Sequence, residues 1–190
     1  SVAVDNSNVK WIGTRLGLAS FDDETWKTYS FDDSTFMREV YLSMADNDNV
    51  KWFFWGRGLY DYQGVASFNG KNWTLYNMEN SGLRGNYISS MAVDKNNKKW
   101  FAYGLGKAGG VTCFDGKEWI SYTKENGGLP DDTVLSIAID NNNVLWCGAM
   151  FGGITCFDGK TWRTYVNIKD VEGNEIVNFQ SAQIEYIGIG

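Results

Sequence analysis

Four short Asp- and Asn-rich segments have the composition of the start of a calcium-binding loop. They begin at Asp5, Asp46, Asp94 and Asp140. A calcium loop of the EF-hand type also needs a bidentate Glu at its twelfth position, and that position is not acidic in any of the four segments. The pattern therefore favours turns in which Asp and Asn side chains bond to their own backbone. We predict neither a metal site nor another cofactor.

The remaining chemistry is restricted by the absence of histidine. A histidine-based catalytic triad, zinc site or general base is therefore impossible. The acidic residues at 22–24 and at Asp32 and Asp33 could supply the paired carboxylates that glycoside hydrolysis uses. Asp22 and Asp23, however, align with Asp-Gly turns later in the chain, which favours a solvated turn. We expect a binding protein, not an enzyme, with a carboxylate-only hydrolase or lyase as the less favoured alternative.

Composition narrows the fold class. The 190 residues include 16% aromatic residues and 22 glycines but a single proline, a bias that favours an all-β protein. The length fits one domain over residues 1–190. A net charge of −6 makes nucleic acid or an anionic membrane a poor partner. No apolar run is long enough to predict a membrane span.

The aromatic residues belong to a repeat. An Asp followed by Trp six residues later occurs four times, and each pair is followed by a Phe, a Trp five residues on and a Tyr three residues after that. The first pairs are Asp5/Trp11, Asp46/Trp52, Asp94/Trp100 and Asp140/Trp146; the later triplets are Phe21/Trp26/Tyr29, Phe68/Trp73/Tyr76, Phe114/Trp119/Tyr122 and Phe157/Trp162/Tyr165. We expect these rings to pack between neighbouring repeats.

Each repeat reads as four short strands. In the fourth repeat we predict strands at 134–139, 144–148, 153–157 and 161–166. Four short strands in about 40–50 residues are typical of a β-propeller blade. The repeats span about 1–42, 43–90, 91–136 and 137–181, followed by a tail at 182–190 that can add one or two strands. A closed small ring, a half-ring completed by a second copy and a fragment of a larger propeller all remain open.

The motifs resemble a known repeat. The segments 137–140 (IAID), 145–148 (LWCG) and 157–162 (FDGKTW) resemble the two-component regulator propeller repeat, and 126–132 (NGGLPDD) resembles the linker between its blades. That family forms the extracytoplasmic sensor region of bacterial hybrid two-component systems, whose propellers detect breakdown products of complex glycans and signal to a membrane-spanning kinase. The resemblance implies a periplasmic or secreted sensor or recognition propeller. It also implies an oligosaccharide or another polar small molecule as ligand.

One interval in the repeat varies. The spacing from the first Trp to the Phe is 10, 16, 14 and 11 residues, so this interval must be a loop. Loops of different length on a repeated scaffold commonly bind ligands, and Arg together with aromatic rings suits a sugar or an anion. The candidate binding residues in these loops and in one linker are Arg15, Trp55, Arg57, Tyr60, Tyr62, Arg84 and Lys107. Alternatively Trp55 and the tyrosines only cap the gaps between blades, and the protein is a scaffold for protein partners without a small ligand.

The three cysteines occupy core positions of the repeat. Cys113 and Cys156 stand where the first two repeats have serine, and Cys147 stands at an apolar position. We expect buried free thiols. A hairpin centred between residues 151 and 152 would place Cys147 opposite Cys156, which leaves a disulfide between them as an alternative.

Overall fold

The computed structural model describes residues 1–14, 17–29, 39–56, 62–104, 108–169, 172–173, 175–178 and 187–188. The chain divides into two compact units, residues 1–87 and 88–190. Each unit contains two four-stranded antiparallel sheets whose strands follow one another in chain order. Within the described residues all regular elements are strands, so the predicted all-β architecture of four-stranded blades is confirmed.

The first unit contains blades 1 and 2. Their strands are β1 (Val2–Val4), β2 (Lys10–Thr14), β3 (Gly17–Phe21) and β4 (Trp26–Tyr29), then β5 (Glu39–Ala45), β6 (Lys51–Gly56), β7 (Tyr62–Phe68) and β8 (Trp73–Tyr76). Blade 2 starts at Glu39, a few residues before the repeat boundary drawn at 42/43. The Asp-Trp pair marks the repeat in the sequence, whereas the sheet of blade 2 also includes the residues of β5 that precede Asp46.

The second unit contains blades 3 and 4. Their strands are β9 (Ile88–Val93), β10 (Lys99–Tyr103), β11 (Gly110–Phe114) and β12 (Trp119–Tyr122), then β13 (Val134–Ile139), β14 (Leu145–Ala149), β15 (Ile154–Phe157) and β16 (Trp162–Tyr165); β17 (Asn167–Lys169) and β18 (Glu175–Asn178) form a separate hairpin. The four strands predicted for blade 4 agree with β13–β16 to within one residue at each end.

The turn between the first two strands of each blade explains the Asp-Trp spacing. In blade 1, Oδ1 of Asp5 accepts hydrogen bonds from the backbone N–H groups of Ser7 and Val9, and Oδ2 accepts one from Trp11 Nε1 at 2.9 Å. The same three bonds recur at the other three Asp residues. A left-handed Asn completes each turn, for example Asn8 with φ of 63°. The expectation that these segments are self-bonded turns is confirmed.

Each unit has its hydrophobic core in the seam between its two blades. In the first unit, Trp11, Leu18 and Tyr29 of blade 1 pack against Phe53 and Phe68 of blade 2. The rings of Trp11 and Tyr29 approach Phe68 with centroid distances of 6.0 and 5.3 Å. The expected packing of repeated rings between blades is therefore seen in this seam.

The seam of the second unit repeats this arrangement. Trp100 and Tyr122 of blade 3 approach Phe157 of blade 4 with centroid distances of 6.1 and 5.3 Å, and Tyr122 also contacts Trp162 at 5.4 Å. The same sequence positions therefore make the same contacts in both units, which is why the aromatic residues recur at fixed spacing.

All three cysteines are buried free thiols, as expected. The pairing of Cys147 with Cys156 is wrong, because Cys147 lies opposite Thr155 and Cys156 lies opposite Trp146. Gly152 and Gly153, both with positive φ, shift the register of the hairpin by one residue. A shift by one residue sends the two thiols to opposite faces of the sheet.

Candidate functional site

The two ends of every blade differ in kind. Since consecutive strands are antiparallel, the Asp turn and the later Asp-Gly or equivalent turn lie at one end, which we call the turn end. The variable loop and the linker to the next blade lie at the other, the loop end. The turn end is built from the same bonds in each blade, so differences between blades are concentrated at the loop end.

Most of the candidate binding residues fall outside the described residues. Arg15, Arg57, Tyr60 and Lys107 are not among them, and Tyr62 is described only as the first residue of β7. The carboxylates at 32 and 33 also lie outside them. Whether these side chains come together at the loop ends stays a prediction.

Trp55 and Arg84 are among the described residues, and they differ in exposure to solvent. Trp55 lies in β6 and is 2% exposed, which favours its interpretation as a core residue over a stacking platform for a ligand. Arg84 is exposed in the linker that follows β8. Its neighbour Leu83 is buried. Arg84 is thus presented to solvent beside a buried residue of the same linker.

The loop end of the second unit is tied together by its linker, residues 123–133. The backbone O of Asp132 accepts a hydrogen bond from Gly110 N at 2.6 Å, which attaches the linker to blade 3. The backbone O of Thr133 accepts one from Met150 N at 2.8 Å, which attaches it to the variable loop of blade 4. The linker therefore holds loops of both blades in one fixed arrangement.

Phe151, in the middle of that variable loop, is 50% exposed. An exposed aromatic ring on a short, bonded loop is a suitable contact for a sugar ring or for an apolar side chain of a partner. Phe151 is not among the residues that the sequence singles out, because Arg and Tyr carry the stronger binding chemistry. Its position in a variable loop, between Met150 and Gly152, is the signal that could identify it.

Asp22 and Asp23, two of the acidic groups that could have formed a catalytic pair, belong to an exposed turn between β3 and β4. Oδ1 of Asp22 accepts backbone hydrogen bonds from Thr25 and Glu24, and these bonds, with that from the Thr25 hydroxyl, lower the pKa of Asp22. Asp23 forms an ion pair of 2.6 Å with Lys10. The expectation of a solvated turn at this position is confirmed.

A cleft opens at the turn end of the second unit, between blades 3 and 4. It has a volume of about 140 Å³ and is lined by Asp94, Lys98, Trp100, Asn143 and Asp158 among others. Ligand sites for small molecules commonly have about 300–1,000 Å³, so this cleft suits a few water molecules better than an oligosaccharide. Within the described parts of the chain, no group of three or more acidic or cysteine side chains is placed to hold a metal ion.

The architecture is that of β-propeller blades, and solved structures share it. The extracellular domain assigned to the hybrid two component system BT3049 from B. thetaiotaomicron matches 86% of this chain at 17% identity with a TM-score of 0.68. The corresponding domain assigned to BT4673 of the same organism matches 92% of this chain at 15% identity with a TM-score of 0.65. Both agree with the resemblance drawn from the repeat motifs.

Other propellers match at similar levels. PorZ, a surface component of the type-IX secretion system of Porphyromonas gingivalis, matches 97% of this chain at 16% identity with a TM-score of 0.70. Virginiamycin B lyase from Staphylococcus aureus matches 86% of this chain at 14% identity with a TM-score of 0.61. The fold thus occurs in sensors, surface components and enzymes.

The chain spans only part of the proteins to which it is similar. It covers 22% of the two sensor domains and 29% of PorZ. No protein-family model and no curated protein matches it. No helix in the described parts of the chain is long and apolar enough to cross a membrane.

Proposed function

We propose that this chain is a non-catalytic recognition module that acts outside the cytoplasm and binds a polar, glycan-derived ligand at the loop ends of its blades. One observation carries the proposal. The turn ends repeat the same hydrogen bonds in all four blades, whereas the loop ends differ in length, and one of them presents an exposed Phe151 on a bonded loop. Variation confined to one end of a repeated scaffold is typical of a binding face.

Two further points support this assignment. The fold is shared with extracellular domains assigned to two-component sensor systems, which supports a sensing role and an extracytoplasmic location. In the first unit, the exposed Arg84 separately offers a cation that can bind the carboxylate or sulfate of an acidic sugar. This cation stands out because the protein as a whole is acidic, with a net charge of −6.

A scaffold for a protein partner is the second candidate. The same exposed Phe151 ring would then anchor an apolar side chain of the partner. A carboxylate-only hydrolase or lyase has less support, because Asp22 caps a turn and Asp23 pairs with Lys10.

The test is titration with a panel of neutral and uronic-acid-containing oligosaccharides, followed by calorimetry and thermal unfolding. We expect at least one member to bind and to raise Tm by mass action. Phe151→Ala should weaken that binding about tenfold while leaving Tm without ligand unchanged. The sugar should be recovered intact, and release of new reducing ends would contradict the non-catalytic assignment.

Lys160→Ala is the matched control. Lys160 is exposed like Arg84 but lies at the turn end of blade 4. It should bind sugar like the unmodified protein. Binding that is lost in Lys160→Ala and kept in Phe151→Ala would place the site at the turn end and contradict the proposal. A panel without any binder would favour the protein-partner alternative.

A further inference from the structure

The seams of the two units differ at one position of the repeat. In the first unit, Lys51 of blade 2 enters the seam, where its ammonium forms an ion pair of 3.0 Å with Oδ2 of Asp5 and lies 5.0 Å from the centroid of the Trp11 ring. Lys51 lies five residues after the Asp of its repeat, opposite the Phe of the next strand. In blade 4 the same position is Leu145. The second seam therefore has an apolar residue where the first has a buried ammonium group.

The cleft of the second unit lies at this position. The counterparts in blade 3 of the Asp and Trp that contact Lys51 are Asp94 and Trp100, and both line the cleft together with Leu145. Leucine lacks the outer atoms of the lysine chain, which carry the ammonium in the first seam. The space beyond Leu145 therefore corresponds to the place that the ammonium of Lys51 occupies in the first unit.

The carboxylate of Asp94 is held by the turn in the way common to all four repeats. Its Oδ1 accepts the backbone N–H groups two and four residues later, at 2.8 and 2.9 Å, and the residue is 6% exposed. Its Oδ2, the counterpart of the oxygen that contacts Lys51, accepts the indole N–H of Trp100 at 3.4 Å. A carboxylate beside an indole ring attracts an ammonium group both by charge and by the cation–π interaction. Both groups are thus already positioned for a cation.

The remaining lining of the cleft is apolar on one side and charged on the other. Ile120 and Tyr122 provide apolar walls, and Ile120 is 46% exposed. The carboxylates of Asp94 and Asp158 line the cleft together with the ammonium of Lys98. Since these two carboxylates outnumber that ammonium, a bound cation would restore neutrality.

We propose that this cleft binds a small primary amine in its protonated form. The ammonium would lie at the carboxylate of Asp94 beside the ring of Trp100, with a short alkyl chain against Ile120 and Tyr122. The cleft volume of about 140 Å³ equals that of about four or five water molecules at about 30 Å³ each, which is room for about five non-hydrogen atoms. The site goes beyond the ligand site proposed at the loop ends, because it lies at the turn end of the second unit.

The experiment is an NMR titration of the whole isotope-labelled chain at pH 7 with n-butylammonium chloride. The indole N–H of Trp100 and the backbone N–H of Leu145 should shift, with a Kd of about 1 mM, because so small a ligand makes few contacts. The indole N–H of Trp11 should not move, since its seam already contains Lys51. 1-Butanol, a neutral molecule of the same size, should bind at least about tenfold more weakly. Unmoved Trp100 and Leu145 signals, or equal binding of butanol, would overturn the proposal.

Leu145→Lys supplies the ammonium from the chain itself. Because it recreates the residue of the first seam, this variant should fold and should no longer bind butylammonium, whereas the control Leu145→Met should still bind it. Unchanged binding by folded Leu145→Lys would place the site elsewhere and contradict the proposal.

Lys98→Met keeps the proposal testable if Leu145→Lys does not fold. It removes a like charge from the cleft lining, so it should bind butylammonium at least as tightly as the unmodified chain, and weaker binding would contradict a cation site. A parallel titration with Nα-acetyl-lysine amide identifies the source of the ammonium. Binding of butylammonium alone assigns the cleft to a free amine, and equal binding of the two assigns it to a lysine side chain of a partner.

Discussion

The indole Nε1 of Trp52 donates a hydrogen bond of 2.9 Å to Oδ2 of Asp46, six residues earlier, and both side chains are buried. Because Oδ1 of the same carboxylate accepts two backbone N–H groups, one side chain fixes both the turn and the ring that packs beside it. The repeat spacing of Asp and Trp is therefore a requirement of hydrogen bonding as much as of hydrophobic packing.

Asp46→Ala should lower the free energy of unfolding by about 3 kcal/mol, since it leaves a buried indole N–H and two turn amides without their acceptor. Urea unfolding followed by tryptophan fluorescence measures the change. Asp158→Ala removes an acceptor of two backbone N–H groups from an exposed turn and should cost much less. Equal losses in the two variants would show that burial of the Asp46 carboxylate contributes little.

Trp100→Ala should cost about 3–5 kcal/mol, whereas Trp146→Ala should cost about 2 kcal/mol. Both rings occupy the same repeat position and donate to an Asp, but Trp100 is 5% exposed in a seam and Trp146 is only partly buried. The repeat pattern alone does not distinguish the two rings. Chemical unfolding of the two variants at low protein concentration measures the difference, and equal costs would contradict the burial argument.

Gly110→Ala should be strongly destabilising and Gly116→Ala only mildly so. Both glycines have positive φ, near 95° and 100°, so alanine is strained by about 1 kcal/mol at either position. A methyl group on Gly110 would also collide with the backbone carbonyl of Tyr122, whereas one on Gly116 meets open space. Thermal unfolding of the pair separates the collision from the shared strain, and similar Tm values would contradict the close backbone approach.

The cysteines should be unreactive in the folded protein. Burial raises the pKa of Cys113 to about 12, and burial also raises the pKa of Cys147. The thiolate is the reactive form of cysteine. A thiol reagent at pH 8 should therefore label none of the three cysteines in the native protein and all three after denaturation. Rapid labelling of Cys113 or Cys147 in the native protein would show that the seam of the second unit opens readily.

Stability should fall in acid. The pKa of Asp140 is lowered by hydrogen bonds, of which the bond from Trp146 has the largest effect. For Asp5, burial acts to raise the pKa, but hydrogen bonds from Trp11 and Lys51 lower it overall. A carboxyl group whose pKa is lowered by folding stabilises the folded protein at pH values above its unfolded-state pKa of 3.8. This contribution is lost as the pH falls through the folded-state pKa. Unfolding free energy should be level from about pH 7 to 5 and decline below about pH 4.

Asp5→Asn provides the comparison for the acid prediction. Asparagine cannot titrate, so the decline below about pH 4 should be shallower in this variant, although its stability at neutral pH is lower. The same decline in both proteins would mean that Asp5 does not contribute to the acid sensitivity.

Strand positions could be predicted from sequence because each signal is local. The Asp turn, the later Asp-Gly turn and the alternation between them lie within single repeats, which is why β13–β16 match their predicted ranges so closely. The register of the hairpin at Gly152 and Gly153 could not be predicted, because backbone φ at two successive glycines decides where a turn is centred. That difference of one residue moved Cys147 away from Cys156.

The exposure of the candidate residues could not be predicted from the sequence, for a physical reason. Arg and Tyr residues in a loop indicate binding by their chemistry. Whether such a side chain is exposed to solvent, however, depends on which other parts of the fold pack against it. Trp55 is covered and Phe151 is not, although both belong to the loop end of a β-hairpin. The attachment of the linker to Gly110 and Met150, which fixes the loop end of the second unit, involves backbone groups that no side-chain pattern reports.

The amino-acid sequence by itself determined that this protein is a repeated all-β structure with four aromatic blades, since hydrogen-bonding turns and alternating strands are encoded within each repeat. Only the tertiary structure decided which faces are used and which remain exposed, because packing depends on neighbours that are distant along the chain. Identical residues such as Trp26 and Trp73 therefore differ in environment, one at the surface and the other within a seam.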